Sequence, residues 1–240
     1  MCAASIGLAS NVSLATEQSQ WGYSGHNGPE HWGKLAADFA TCTKGMNQSP
    51  INLTGMVKGD LPTLNIQYQP GGEGVLNNGH TIEVVYGVGS SMNVKNNQFE
   101  LKQFHFHSPS ENQIEGQSFP MELHFVNADE EGHLAVIAVM FKEGAYNPEL
   151  AKVWQSMPKQ VGQEKTLSAL VNINQLLPKQ HEYYRFNGSL TTPPCTEGVK
   201  WFVMKTPITA SKAQIAQFVK TIPGGNNRPV QSVNARMILQ

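Results

Sequence analysis

The chain has 240 residues, 40% of them hydrophobic and 15% charged, with 17 basic against 18 acidic side chains. That length and apolar content can bury roughly 70–75% of the chain's surface around a core, which excludes wholesale disorder. A net charge of −1 with no Lys/Arg cluster excludes an electrostatic nucleic-acid binder, and the longest apolar run, 134–141, falls far short of a membrane-spanning helix.

Residues 1–15, MCAASIGLASNVSLA, carry no charge and end in Ser13-Leu14-Ala15, a small-x-small pattern like a signal-peptide cleavage site. A basic leading region is missing, so the segment reads as a signal-peptide remnant or a disordered tail, ahead of a single domain over 16–240. The remnant reading places the mature protein in an oxidising compartment, periplasmic or secreted. The three cysteines, Cys2, Cys42 and Cys195, show no CxxC spacing, which argues against a Cys-ligated metal.

Strand signals then dominate. HTIEVVYGV (80–88), LKQFHFH (101–107), PMELHFVN (120–127) and HLAVIAVMF (133–141) are short, rich in β-branched and aromatic residues, and bounded by turn residues. The last is nearly continuous in apolar residues, as a strand buried on both faces requires. NPELAKVWQSM (147–157) predicts a helix with Asn147 as cap and Pro148 in its first turn. VKWFVMK (199–205) predicts another strand, and SKAQIAQFVKTI (211–222) a second helix capped by Ser211. PGGEG at 70–74 and PGGNNRP at 223–229 are loop-sized, and there is no linker or repeat. The class is mainly β with peripheral helices.

Period-two alternation decides which side chains converge. In LKQFHFH, Gln103, His105 and His107 point to one face, and Lys102, Phe104 and Phe106 to the other. In PMELHFV, Glu122, His124 and Val126 share a face opposite Met121, Leu123 and Phe125. If the two strands are antiparallel neighbours, three imidazoles meet at one point. Zinc accepts three such nitrogens and leaves a fourth position open. A lone strand histidine is ordinarily a hydrogen-bonded structural residue. Two at i and i+2 in an apolar strand, with a third opposite, need too many separate partners for that account. Gln103 and Glu122, each two residues before a histidine, can take the second ring N–H and orient it. A different set, His105, His107 and Glu111, matches half of a cupin motif and would imply iron or manganese. Phe99 stands where that pattern wants glycine, and its second half is absent.

QFHFH, the ELH around His124, NNGH at 77–80 and GSLTTPPCTEG at 188–198 together resemble the alpha-class carbonic anhydrases. So do WGYSGHNGPEHWG (21–33), NQSPI (47–51) and NNRPVQSVNAR (226–236), in matching order from Trp21 to Arg236. SPSE after the second histidine, with a cysteine after TTPP, is most similar to the bacterial secreted branch. The resemblance implies one domain on a large, mostly antiparallel central sheet with short peripheral helices. The activity it implies is reversible hydration of carbon dioxide to bicarbonate and a proton, through zinc-bound hydroxide and a histidine proton shuttle. It implies His105, His107 and His124 as ligands of Zn2+, oriented by Gln103, Glu122 and the carbonyl of Asn226. Thr191 and Glu111 would orient the nucleophile, and His80 would shuttle protons. Tyr23, Asn78 and Thr192 would hold water, while Val126, Val136, Leu190, Val199 and Trp201 would form the apolar substrate wall. It further implies a Cys42–Cys195 disulfide, cis bonds at Ser49–Pro50 and Pro193–Pro194, anionic and sulfonamide inhibitors, and a homodimer among the allowed assemblies. Glu83, just beyond His80, is acidic where vertebrate members carry an amide. A catalytically inactive binding domain of the same family would have lost a zinc histidine or the Thr–Glu pair; all are present.

Overall fold

The computed structural model describes residues 20–240, so the expected leader 1–15 and Cys2 lie outside the described residues. Two single-turn helices, α1 (Trp32–Leu35) and α2 (Thr41–Lys44), precede β1 (Asn52–Leu53), β2 (Leu64–Gln67), β3 (Gly74–Asn77) and β4 (Ile82–Val85). β5 (Ser91–Val94), β6 (Asn97–His107), β7 (Gln113–Ile114), β8 (Met121–Ala128), β9 (Leu134–Glu143) and α3 (Pro148–Ser156) follow. The remaining elements are β10 (Glu164–Thr166), β11 (Tyr183–Ser189), β12 (Glu197–Met204), β13 (Ile208–Ala210) and α4 (Lys212–Thr221).

Among the described residues, 11 strands form one sheet whose main path runs β10-β3-β4-β6-β8-β9-β12-β11. Most pairings are antiparallel, as expected, but β9 pairs in parallel with both β12 and β13. β9 therefore lies inside the sheet, and Ala135 through Phe141 are all buried, which is what its unbroken apolar run requires. β2, β3, β5, β10 and β13 have three or four residues each, too few for alternation to show in the sequence.

Alternation sorts the two faces of the sheet. Phe104, Phe106, Leu123, Phe125, Ile137 and Val139 are fully buried on one face, in a cluster that takes in Trp154 of α3 and Phe218 of α4. Phe106 meets Trp154 edge-on at 4.8 Å between ring centroids. The helices start as predicted. Asn147 Oδ1 accepts from the N–H groups of Glu149 and Leu150, and Ser211 forms a capping box with Gln214.

One residue departs from the alternation. Lys102, expected on the face of Phe104 and Phe106, is exposed, while Leu101 and Phe104 are both buried. The β6–β8 register shifts between Leu101 and Gln103. A bulge inserts one extra residue there and resets the parity. Downstream of it, Gln103, His105 and His107 keep their shared face.

A candidate metal centre

The sheet carries the site in rungs. Antiparallel register pairs His105 of β6 with His124 of β8, and His107 with Glu122. The next rung runs from Gln103 through Val126 and Val136 to Trp201. Each of the three histidines has one ring nitrogen fixed by an oxygen: His105 Nδ1 by Gln103 Oε1 at 2.7 Å, His107 Nδ1 by the Asn226 carbonyl at 2.7 Å, and His124 Nε2 by Glu122 Oε1 at 3.0 Å. Those bonds select the tautomer and turn the other nitrogens toward one another. The free nitrogens lie within 4.8 Å of one another. Burial holds all three rings below the ordinary histidine pKa, reinforced for His105 and His124 by neighbouring imidazoles. They are neutral at pH 7 and present lone pairs.

His107 Nε2 is buried with no hydrogen-bond partner, and so is Glu111 Oε2, 3.4 Å away. Buried polar atoms are rarely left so. Three convergent imidazole nitrogens with an orphaned lone pair are what a four-coordinate zinc requires, so the donor set fits that ion. Glu122 is anchored independently of His124. Its Oε2 accepts from the N–H groups of Glu111 and Asn112 at 2.7 and 2.8 Å, and its Oε1 from Asn112 Nδ2 at 2.7 Å.

Loops supply the rest. Glu111 Oε1 accepts from the Arg228 N–H at 2.9 Å. Burial pushes the Glu111 carboxyl well above its usual range, while that N–H pulls it back down. The buried Arg228 guanidinium donates to Gln48 Oε1, the Ser49 carbonyl and the Cys42 carbonyl, each at 2.8 Å. Cys42 is disulfide-bonded to Cys195 across 153 residues, and Gln48 Nε2 donates to the Cys195 carbonyl. The Thr191 loop is thereby tied to the same knot as Arg228. Ser49–Pro50 and Pro193–Pro194 are cis, and so is Ser108–Pro109, which was not anticipated.

His80 is partly exposed and lies flat on Trp21, with ring centroids 3.7 Å apart at 9°. Burial lowers its pKa below 6.5. Asn78 Oδ1 accepts from the N–H groups of His80 and Thr81, which shapes the turn, and Asn226 Nδ2 donates to the His80 carbonyl. Trp21, Tyr23, Asn78, His80 and Pro193 line one open cavity. The Thr192 carbonyl accepts from the Cys195 N–H. Val136, Val199 and Trp201 share an apolar cluster, with Val126 and Leu190 packed against it.

The family model for eukaryotic-type carbonic anhydrase matches residues 27–240. The chain belongs to the alpha-class carbonic anhydrases. A carbonic anhydrase of Pectobacterium carotovorum is 48% identical over 225 residues, covering 94% of this chain and 92% of the relative. The alpha-carbonic anhydrase of Thermovibrio ammonificans, solved with the inhibitor sulfanilamide, superposes with a TM-score of 0.91 at 47% identity, covering 92% of this chain and 99% of that one. Dioscorin complexed with ascorbate is a more distant likeness, at 32% identity and a TM-score of 0.86, covering 92% of this chain and 97% of that one.

Carbonic anhydrase membership displaces the cupin reading, and Glu111 is held by Arg228 at the edge of the triad. Several residues of this carbonic anhydrase site escaped the sequence. Asn112 and Arg228 look like ordinary loop residues until burial shows otherwise, and Trp21 lies 59 positions from His80. A fully buried arginine beside Asn226 leaves no periodic signal in a sequence.

Proposed function

We propose that this carbonic anhydrase holds zinc on His105, His107 and His124, hydrates carbon dioxide beside Thr191 and Glu111, and exports the proton through His80. The observation that carries the reading is the convergence of three neutral imidazole nitrogens within 4.8 Å, with partners already on their other nitrogens. Zinc on three neutral ligands keeps its full charge and lowers the pKa of a coordinated water to about 7, as it does in carbonic anhydrase generally.

The chain's own residues supply orientation and proton traffic. Glu111 Oε1 is committed to Arg228, so Oε2 is left to accept from the Thr191 hydroxyl. A hydroxyl that donates to Glu111 has only lone pairs to offer the cavity. Thr191 then accepts from the attacking oxygen and turns that oxygen's lone pair toward carbon dioxide. The rung Val126–Val136–Trp201, with Leu190 and Val199, gives the apolar substrate a place to rest without strong binding. Tyr23, Asn78 and Thr192 hold the water between this wall and His80. An imidazole that titrates near neutrality takes and releases protons with little penalty either way.

The disulfide supports an oxidising compartment, periplasmic or extracellular. Among the described residues no helix is long and apolar enough to cross a membrane. The sulfanilamide complex of the Thermovibrio relative supports sulfonamide binding here. The test is metal analysis of the purified protein with a hydration assay before and after chelation. Near one zinc per chain, with activity lost on chelation and restored by zinc, is expected. Iron in its place, or hydration that survives complete metal removal, overturns the reading.

A further inference from the structure

One rung of the sheet runs from Glu164 of β10 through Leu76, Glu83, His105 and His124 to Ala138 of β9. Glu83 therefore stands directly beside His105, on the face that carries the candidate ligands. The alternation of β4 agrees. Ile82 and Val84 are fully buried in the apolar cluster behind the sheet, while Glu83 and Val85 are part-exposed on the opposite face. Val85 pairs with Gln103, so both outward residues of β4 border the site. Among the described residues no hydrogen bond or charged neighbour acts on the Glu83 carboxyl, and burial alone raises its pKa. The proposed chemistry assigns it no task.

We propose that Glu83 is a specificity-determining residue whose negative charge, beside His105 on the face of the candidate ligands, weakens the binding of anions at the metal centre. The inference rests on the zinc reading above. Carbon dioxide is uncharged and is indifferent to that charge, whereas bicarbonate is an anion and is repelled by it. Glu83 thus favours departure of the product without weakening the resting place of the substrate. Paired Cβ atoms on neighbouring strands are about 5 Å apart, and the side chains reach further. At roughly 8 Å, one unit charge changes anion affinity by about 2- to 30-fold between the bulk-water and protein-surface limits of screening.

The test uses the full-length holoenzyme with its metal content measured. Thiocyanate is titrated calorimetrically into the native protein, Glu83→Gln and Glu83→Lys at fixed ionic strength, and KM is measured separately for carbon dioxide and bicarbonate. Affinity for thiocyanate should rise in the order Glu, Gln, Lys, by about 2- to 30-fold for the first step. KM for bicarbonate should fall in the same order, with KM for carbon dioxide moving less than twofold. Glu83→Gln, which is close to isosteric, carries the conclusion if Glu83→Lys does not fold. Unchanged thiocyanate affinity in metal-loaded Glu83→Gln overturns the inference alone. So does weaker binding in both variants, which is the signature of a packing role. A native protein that holds no zinc and does not bind thiocyanate overturns the zinc reading, and this inference with it.

Discussion

The two faces of the β6–β8 strand pair differ in kind although their residues alternate one by one. Phe104, Phe106, Leu123 and Phe125 are fully buried in an apolar cluster that reaches α3 and α4. Their contacts are non-directional, so volume matters more than orientation. His105, His107 and His124 stand on the opposite face, and each has a ring nitrogen committed to one particular oxygen. Those contacts are directional, and burying the rings is unfavourable until each is satisfied. The difference teaches that the sheet divides its work by parity. The apolar face supplies the free energy of folding that offsets desolvation on the polar face.

Mutations that strike one face and spare the other can break this division. The largest effect is expected from His124→Ala, which removes a proposed ligand and leaves Glu122 held only by Glu111 and Asn112. Zinc affinity should fall well beyond the ~100-fold that losing a supporting partner costs. Competition against a chelator measures it. The metal-free variant should melt within a few degrees of the metal-free native protein; collapse of the fold would show that the faces are not separable.

Phe104→Ala probes the other face. Truncating a fully buried phenylalanine should cost about 3–5 kcal/mol in denaturant titration, with zinc affinity of the folded protein unchanged. A large loss of affinity would mean that packing behind the sheet sets the ligand geometry. Gln103→Ala sharpens the comparison, because it frees the His105 ring without removing a ligand. A loss of ~10–100-fold in zinc affinity is expected, with little change in melting temperature. The smallest effect belongs to His80→Ala, which lies outside the strand pair. In dilute buffer kcat should fall by roughly an order of magnitude, with zinc content intact, and concentrated imidazole should restore it. Unchanged kcat in dilute buffer would remove His80 from the proton path.

Legibility in the sequence followed the same line. The convergence of the three histidines could be read from alternation once β6 and β8 were paired, because the period of two is local. The bulge at Lys102 could not, since it exists only as a mismatch between two strands. The two capped helices were plain from Asn147 and Ser211, whose side chains bond to N–H groups two or three residues on. The cis bonds at Ser49–Pro50 and Pro193–Pro194 and the Cys42–Cys195 pairing were accessible only through resemblance to relatives, and the Ser108–Pro109 cis bond was not accessible at all.

By itself, then, the sequence determined the β character, the parity of the site face and the donor types, all of which repeat over a few residues. The tertiary structure decided that β9 would pair in parallel with β12, that the Asn226 carbonyl would reach His107 across 119 positions, and that Trp21 would lie flat on His80. It also set the unassigned Glu83 beside His105. These are contacts between distant segments, fixed by the order of strands in the sheet and the knot of Arg228 and the disulfide. Local periodicity specifies which way a side chain faces, whereas only the packed chain specifies what it faces.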